Sequence, residues 1–365
     1  MKVKKIIIFF PIFSKGGLEK VANALVSHFN NYELKIYFIT FKKNKYLNFK
    51  NKNVKILCSK SASKKKSTSS FKKIFYCLKI LQKLLKMNNP ENTNILSIQN
   101  SACAIILAKF YNYKIVVHNG APLSSFLYLK NIFKSFFVFI FKIISYNFAD
   151  KIIVNSNANG NSLSKFILNK KKVIKIHNPI NLNKKPFITA KKKQILTVCR
   201  LVHEKGIHVL INAFHKINDP ELKLIIVGDG AYKKNLINLV FHLNLKKKVI
   251  FTGWVENPDK YYSESSLFIL PSFFEGFGNV LVEAMNFNIP CISTVDSGGP
   301  KEILGNGKYG YLVKKNNSEE LTNKIKFCFK NKKITKTKVI AAKKSLKRFD
   351  INYCTAEYLK VLNSV

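Results

Sequence analysis

Ser266-Leu267-Phe268-Ile269-Leu270-Pro271-Ser272-Phe273-Phe274-Glu275-Gly276-Phe277-Gly278-Asn279-Val280-Leu281-Val282-Glu283-Ala284-Met285 reads as a buried strand, a glycine-containing turn and the start of a helix. The spacing puts Glu275 on the loop at the strand's carboxyl end. Glu283 falls one to two turns into the helix that follows. Loop N–H groups and the helix N-terminus between the two glutamates favour an anion. Carboxylates accept hydrogen bonds from sugar hydroxyls but do not bind phosphate. Two of them flanking an anion site therefore point to a ligand with hydroxyls on both sides of a phosphate, as in a nucleotide sugar. The plain alternative is a helix with one solvated glutamate and one near its first turn, where the dipole welcomes it.

The same alternation of short apolar runs and longer helical patterns fills the chain, which predicts an α/β architecture with parallel sheets. Strands are expected at 5–10, 34–40, 95–98, 115–118, 151–154 and 173–177. The pattern restarts at 194–199, 222–227, 249–252, 266–270, 290–293 and 310–313. The expected organisation is a first Rossmann-like domain over residues 1–182 and a polar, proline-bearing linker over 183–193. A second Rossmann-like domain then covers 194–345, and a closing helical segment, 346–365, packs back onto the first domain. Ligands of such domains bind at the carboxyl ends of the strands, so the two are expected to face a cleft. Residues 59–70, rich in Ser and Lys, read as a mobile low-complexity insertion.

At 365 residues, the chain has room for two full cores. It carries 63 Lys and Arg against 19 Asp and Glu, a formal charge of +44. Arg occurs only at Arg200 and Arg348, and Lys, Asn, Ile and Phe, all with A/T-rich codons, are abundant together. Genome composition thus accounts for part of the charge, though such a chain is drawn to polyanions in any case. The lysines are spread throughout and no nucleic-acid-binding module is evident, so no specific nucleic-acid partner is expected. The seven cysteines are scattered singly, which excludes paired zinc or dithiol spacings and fits a reducing cytosol. No eighteen-residue apolar stretch occurs. The nearest, 126–148, is interrupted by Lys130, Lys134 and Lys142, whose spacing predicts a helix with a basic face. In 72–86, Ile74, Leu78, Leu81 and Leu85 recur at helical spacing among lysines. Both stretches are open to two readings: helices lying on an anionic leaflet, or core-facing helices with a solvated basic side.

Further turns carry candidate chemistry. Gly16-Gly17 follows the first strand and precedes a helix, a place where backbone can approach an anion. Arg200 ends the second domain's first strand, and Lys205 follows near Gly206. A planar fork and a point charge converging on one loop make a diphosphate clamp. Gly228 and Gly230 form another strand-end turn, and Gly298-Gly299-Pro300 a further one. Trp254, the sole Trp, either lines a base pocket or packs under its loop. His118 stands at a strand end facing the expected cleft, placed for hydroxyl contact or proton handling. No metal-ligand spacing is present.

Together, Arg200 with Lys205-Gly206, the Glu275–Glu283 pair around Gly276-Phe277-Gly278-Asn279, the Gly16-Gly17 loop and Ser297-Gly298-Gly299-Pro300-Lys301-Glu302 resemble family 4 retaining glycosyltransferases of GT-B fold. The resemblance implies transfer of a sugar from a nucleotide-diphosphate donor, first of all UDP, to an acceptor hydroxyl, with retention and no obligatory metal or cofactor. It implies that Arg200 and Lys205 hold the diphosphate and stabilise the leaving group. Glu283 would bind the ribose and Glu275 the sugar hydroxyls. Phe277, Gly278, Asn279 and Val280 would lie along the sugar and phosphates, with Gly228 in the donor set. Gly16 and Gly17 would admit the diphosphate from the opposite domain, and His118 would face the reacting sugar. The last of these stretches resembles bacterial enzymes of O-antigen, capsule or lipid-linked oligosaccharide assembly. That implies a glycan or lipid-linked acceptor and a cytoplasmic protein peripheral to the inner membrane's anionic leaflet. A sugar-nucleotide epimerase of the same fold is the competing enzyme, and a basic nucleic-acid binder the competing class.

Overall fold

The computed structural model describes residues 3–13, 16–29, 32–43, 47, 52–59, 69–99, 101–120, 132–182, 192–295 and 298–365, with backbone alone at 132–134. The chain divides into two compact units, Met1–Pro179 with Phe349–Val365, and Ile180–Arg348.

The first unit holds a parallel sheet of β1 (Lys5–Phe9), β2 (Lys35–Thr40), β3 (Val54–Cys58), β4 (Thr93–Ser97), β5 (Lys114–Asn119), β6 (Lys151–Val154) and β7 (Val173–Lys175). Their spatial order is β3-β2-β1-β4-β5-β6-β7, so the order reverses between β1 and β4. The helices α1 (Gly17–Phe29), α2 (Ser70–Met87), α3 (Ser101–Phe110), α4 (Ile132–Phe148) and α5 (Asn157–Ser164) cross between strands. Along β1, Ile6 and Ile8 point into one core with α1, while Ile7 and Phe9 point into another with α2 and α3. Both faces are covered, which is why β1 reads as an unbroken apolar run.

The second unit repeats the plan with β8 (Lys192–Val198), β9 (Lys223–Val227), β10 (Val249–Gly253), β11 (Ser265–Leu270), β12 (Cys291–Thr294) and β13 (Tyr311–Val313). Its order, β10-β9-β8-β11-β12-β13, reverses between β8 and β11. Around it lie α6 (Ile207–His215), α7 (Lys233–His242), α8 (Asp259–Glu264), α9 (Asn279–Asn286), α10 (Gly299–Ile303), α11 (Ser318–Lys330) and α12 (Lys332–Ser345). The core under α6, α7 and α11 is built from Ile195, Leu224, Ile226, Ile269 and Ile292. The final helix, α13 (Ile351–Asn363), is capped by Asp350, whose carboxylate accepts from the N–H groups of Asn352 and Tyr353. It returns to the first unit, where Cys354, Tyr358 and Leu362 close the α1 side of the core.

Several local expectations change. Strand β3 was not anticipated: Val54–Cys58 is a half-buried edge strand between Lys- and Asn-rich flanks, so its apolar signal is weak. The expected linker overlaps β8, which starts at Lys192; residues 183–191 lie outside the described residues. Most of the 59–70 insertion lies outside them too, though Ser69 accepts from Lys72 N–H and caps α2. Of the two readings for α2, the core-facing one describes its inner side: Cys77, Leu81, Leu84 and Leu85 are buried. Of the lysines expected to form a basic face over 126–148, only Lys142 has a described side chain, and it does not lie on the outer side of α4. Lys142 turns inward to Asn119, with Nζ 3.0 Å from Oδ1, and the outer side is apolar. Lys130 and the side chain of Lys134 lie outside the described residues.

Because Leu362 is fully buried against α1, Leu362→Ala should cost about 2–5 kcal/mol. Urea unfolding of the full chain, followed by far-UV circular dichroism, checks this. A loss below about 0.5 kcal/mol would mean that α13 contributes little to this core.

Candidate active site

Open α/β sheets bind ligands at the carboxyl ends of the strands that flank a reversal of strand order. In the second unit those strands are β8 and β11. Arg200 and Lys205 follow the first, and Glu275 follows the second. The two loops are joined by backbone. Phe273 N–H donates to Glu204 O at 2.8 Å, and a Cβ on Gly206 would stand 2.2 Å from Pro271 O. Gly206 also adopts φ 63, closing the short 3-10 turn His203–Lys205 that aims Lys205. Lys205 Nζ and Glu275 Oε2 then meet at 2.5 Å, with side chains only 17% and 19% exposed. One of the three ammonium donors is used in this pair, which leaves two for a ligand's phosphate oxygens.

Glycines make the neighbouring loops fit. A Cβ on Gly228 would lie 1.8 Å from Cys199 O, and one on Gly230 would lie 2.4 Å from Leu201 O. These residues let the β9 turn lie directly on the backbone around Arg200, where Leu201 N–H donates to Asp229 O at 2.9 Å. Gly228, expected in the donor set, is thus engaged with the chain's own backbone. On the other side, Gly299 N–H donates to Glu275 O at 3.2 Å, and a Cβ there would meet Phe277 Cα at 2.5 Å. Residues 296 and 297 lie outside the described residues.

The helix α9 opens at Gly278, which takes φ 102 as N-cap and brings no capping side chain. Asn279 and Val280 form its first turn. Phe277 is buried, so backbone is what this residue offers a ligand. Glu283 is half-buried, and Tyr262 O–H donates to its Oε2 at 3.0 Å. Burial beside that carboxylate holds the Tyr262 phenol well above its ordinary range, so it remains a donor. Sequence reasoning missed Tyr262, for which no spacing rule gives a signal. It also missed Ser293 and Thr294, whose hydroxyls donate to Leu270 O (2.8 Å) and Ser272 O and fix the Glu275 loop. Paired hydroxyls ending an apolar strand were the available clue. Trp254 is 46% exposed, so it is not packed away under its loop.

In the first unit, Gly16 and Gly17 open α1, with the Glu19 carboxylate in its first turn: a Cβ on Gly16 would lie 2.9 Å from Glu19 Oε2. Gly120 packs between Leu18 and His118, so the start of α1 adjoins the end of β5. His118 itself is 2% exposed, which differs from the open position expected of it. Its Nδ1 lies 2.6 Å from Tyr358 O–H, and its Nε2 has no hydrogen-bond partner among the described residues. Burial lowers its pKa to about 4, so the ring is neutral at physiological pH and suits hydrogen bonding better than proton shuttling.

Two parallel Rossmann-like sheets, with a cation–carboxylate cluster at the second reversal, define the GT-B class of two-domain α/β enzymes. The model of one family, glycosyl transferases group 1, matches residues 180–345. A Campylobacter jejuni protein named N-acetylgalactosamine-N,N'-diacetylbacillosaminyl-diphospho-undecaprenol 4-alpha-N-acetylgalactosaminyltransferase is 32% identical over 265 residues, 71% of this chain and 72% of its own. The amylovoran biosynthesis glycosyltransferase AmsD of Erwinia amylovora is 25% identical, over 88% of this chain and 89% of its own. Among solved structures, Anabaena HepE, in complex with UDP and glucose, superposes with a TM-score of 0.81 over 99% of this chain and 100% of its own. At 21% identity that likeness speaks for the fold alone. The chain belongs to the glycosyl transferases group 1 family and is a glycosyltransferase.

Two outcomes follow from this geometry. Gly228→Ala should destabilise the second unit strongly, since φ 142 and the Cys199 carbonyl both exclude a side chain. A thermal melt within about 2 °C of wild type would contradict that close approach. His118 takes up protons in the unfolded chain near its ordinary pKa but only around 4 when folded. Its contribution is therefore present above about pH 6.5 and is lost as pH falls towards 4, by about 3 kcal/mol in all. Urea titrations across that range should show a shallower loss for His118→Asn than for wild type, and parallel curves would overturn the assignment.

Proposed function

We propose that this glycosyltransferase moves a sugar, with retention, from a UDP-sugar to a hydroxyl of a diphosphate-lipid-linked saccharide during assembly of a bacterial surface polysaccharide. The observation that carries the donor half is the Lys205–Glu275 pair, held beside the uncapped start of α9 at the β8/β11 reversal. On this reading the diphosphate takes the free donors of Lys205, the Arg200 fork and the first N–H groups of α9. As the glycosidic bond breaks, negative charge builds on the leaving phosphate, and these fixed positive groups stabilise it without a metal or cofactor. Glu275 accepts from the sugar hydroxyls while holding Lys205. Glu283, oriented by Tyr262, accepts from the ribose. In the first unit, Gly16 and Gly17 offer backbone to an anion, and His118 offers a neutral hydrogen-bonding ring.

The acceptor half is supported by the relatives, whose names give a diphospho-undecaprenol acceptor and amylovoran biosynthesis. Such an acceptor implies work at the cytoplasmic face of the inner membrane. The relatives' names are those of transferases, so the epimerase reading is not favoured.

Thermal stabilisation against UDP-, GDP- and ADP-sugars, in EDTA and moderate salt, tests the donor. The expected result is a selective shift with one UDP-sugar, abolished in Glu283→Ala. Arg200→Ala should lower kcat roughly 10²–10³-fold while leaving the melting temperature unchanged. Near-normal binding and turnover in both variants would remove the site assignment, and binding to nucleic acid in place of any nucleotide sugar would overturn the function.

A further inference from the structure

α4 is built inside out. Its inward side carries Ser135, Lys142, Ser145 and Tyr146, with Lys142 bonded to Asn119 at the end of β5. Its outward side carries Phe136, Phe137, Ile140, Phe141, Ile144 and Phe148, all exposed, and Phe137 is 70% exposed. Among the described side chains of α4, no charged group lies on that outer side. Phe137, Phe141, Ile144 and Phe148 follow one another at helical spacing and form a continuous stripe. Monomeric soluble proteins rarely leave such a stripe to water.

The surroundings extend the patch and give it a charged border. α3 packs against α4 and adds Ile106 and Phe110, the latter 78% exposed. At the carboxyl end of α4, Asn147 holds the loop after α5 by accepting from Leu168 N–H at 2.8 Å, and Leu168 is 91% exposed beside it. Next to Leu168 come exposed Lys165, Lys170 and Lys171, while Lys172 donates to Asn147 O at 3.0 Å. Asp150, which follows α4, is neutralised by Lys109 at 2.5 Å and Lys114 at 3.8 Å. An aromatic and aliphatic stripe bordered by unopposed lysines matches the acyl–headgroup boundary of an anionic bilayer in both polarity and charge. The helix does not cross it: none of the described helices is long and apolar enough to do so.

We infer that the outer side of α4, with Phe110 and Leu168, is a bilayer-docking face that inserts into the interface of an anionic leaflet, while the lysines after α5 engage its headgroups. This rests on the lipid-linked acceptor proposed above and says which surface meets the lipid. Because Lys142 ties α4 to β5 beside His118 and Gly120, docking sets the strand ends of the first unit next to the membrane surface that bears the acceptor.

Sedimentation of the full chain with phosphatidylcholine vesicles, with and without about one-third phosphatidylglycerol, tests the face. Wild type should bind the mixed vesicles in physiological salt. The triple variant Phe137→Ser, Phe141→Ser, Ile144→Ser should bind roughly tenfold or more weakly, because three buried apolar side chains are removed from the interface. Lys170→Glu with Lys171→Glu should reduce the preference for phosphatidylglycerol. Both variants should retain the wild-type melting temperature and nucleotide-sugar shift, since they touch exposed residues of the first unit. That readout separates failure of docking from failure of the donor assignment. Unchanged vesicle binding in the triple variant would overturn the proposal and leave diffuse charge as the cause. So would loss of a wild-type dimer on that substitution without loss of vesicle binding, which would identify a second copy as the occupant.

Discussion

The second unit depends on the loops after β8, β9, β11 and β12, which can lie on one another only because four of their residues lack side chains. Gly206 against Pro271, Gly228 against Cys199, Gly230 against Leu201 and Gly299 against Phe277 are all approaches that a Cβ would block. Of the backbone hydrogen bonds these approaches allow, Phe273 to Glu204 fixes the loop after β11 to the loop after β8, and Leu201 to Asp229 fixes the loop after β8 to the turn after β9. Lys205 and Glu275 then have little choice but to meet. The pair is a consequence of backbone contact, and the backbone contact is a consequence of glycine.

That constraint gives the site its chemistry. A lysine already paired to a carboxylate and largely shielded from water is held in one place before any ligand arrives, so less freedom is lost when phosphate binds. Tyr262 does the same for Glu283, and Ser293 and Thr294 do it for the loop that bears Glu275. Each supporting group is buried, and each donates a hydrogen bond to the group it holds in place. The first unit follows another logic. Its strand ends carry a neutral, buried His118 between Tyr358 and Gly120, and α4 turns an apolar side outward.

Much of this was legible in the sequence, for identifiable reasons. Most strands are short unbroken apolar runs, so all but one of the thirteen among the described residues could be read within a few residues. The exception, β3, is an edge strand with one wet side and lysine flanks. Arg200 stood out because the chain uses Arg only twice. Glu275 and Glu283 stood out because a strand, a glycine turn and a helix start fix their places along the chain. Tyr262 left no trace, since it reaches Glu283 from a neighbouring helix that no spacing connects to it.

By itself the sequence determined the two parallel α/β units, the loops that carry the candidate site and the family resemblance, because periodicity and glycine turns act over a few residues. Only the tertiary structure decided which way side chains point. It buried His118 under Tyr358, turned Phe277 into the core, gave Gly228 to the backbone of Cys199 and rolled Lys142 inward so that phenylalanines face out. A helical or strand period says that a residue has a side. The packing of distant elements says which side is covered, and for Lys142 that choice ran opposite to the one its spacing implied.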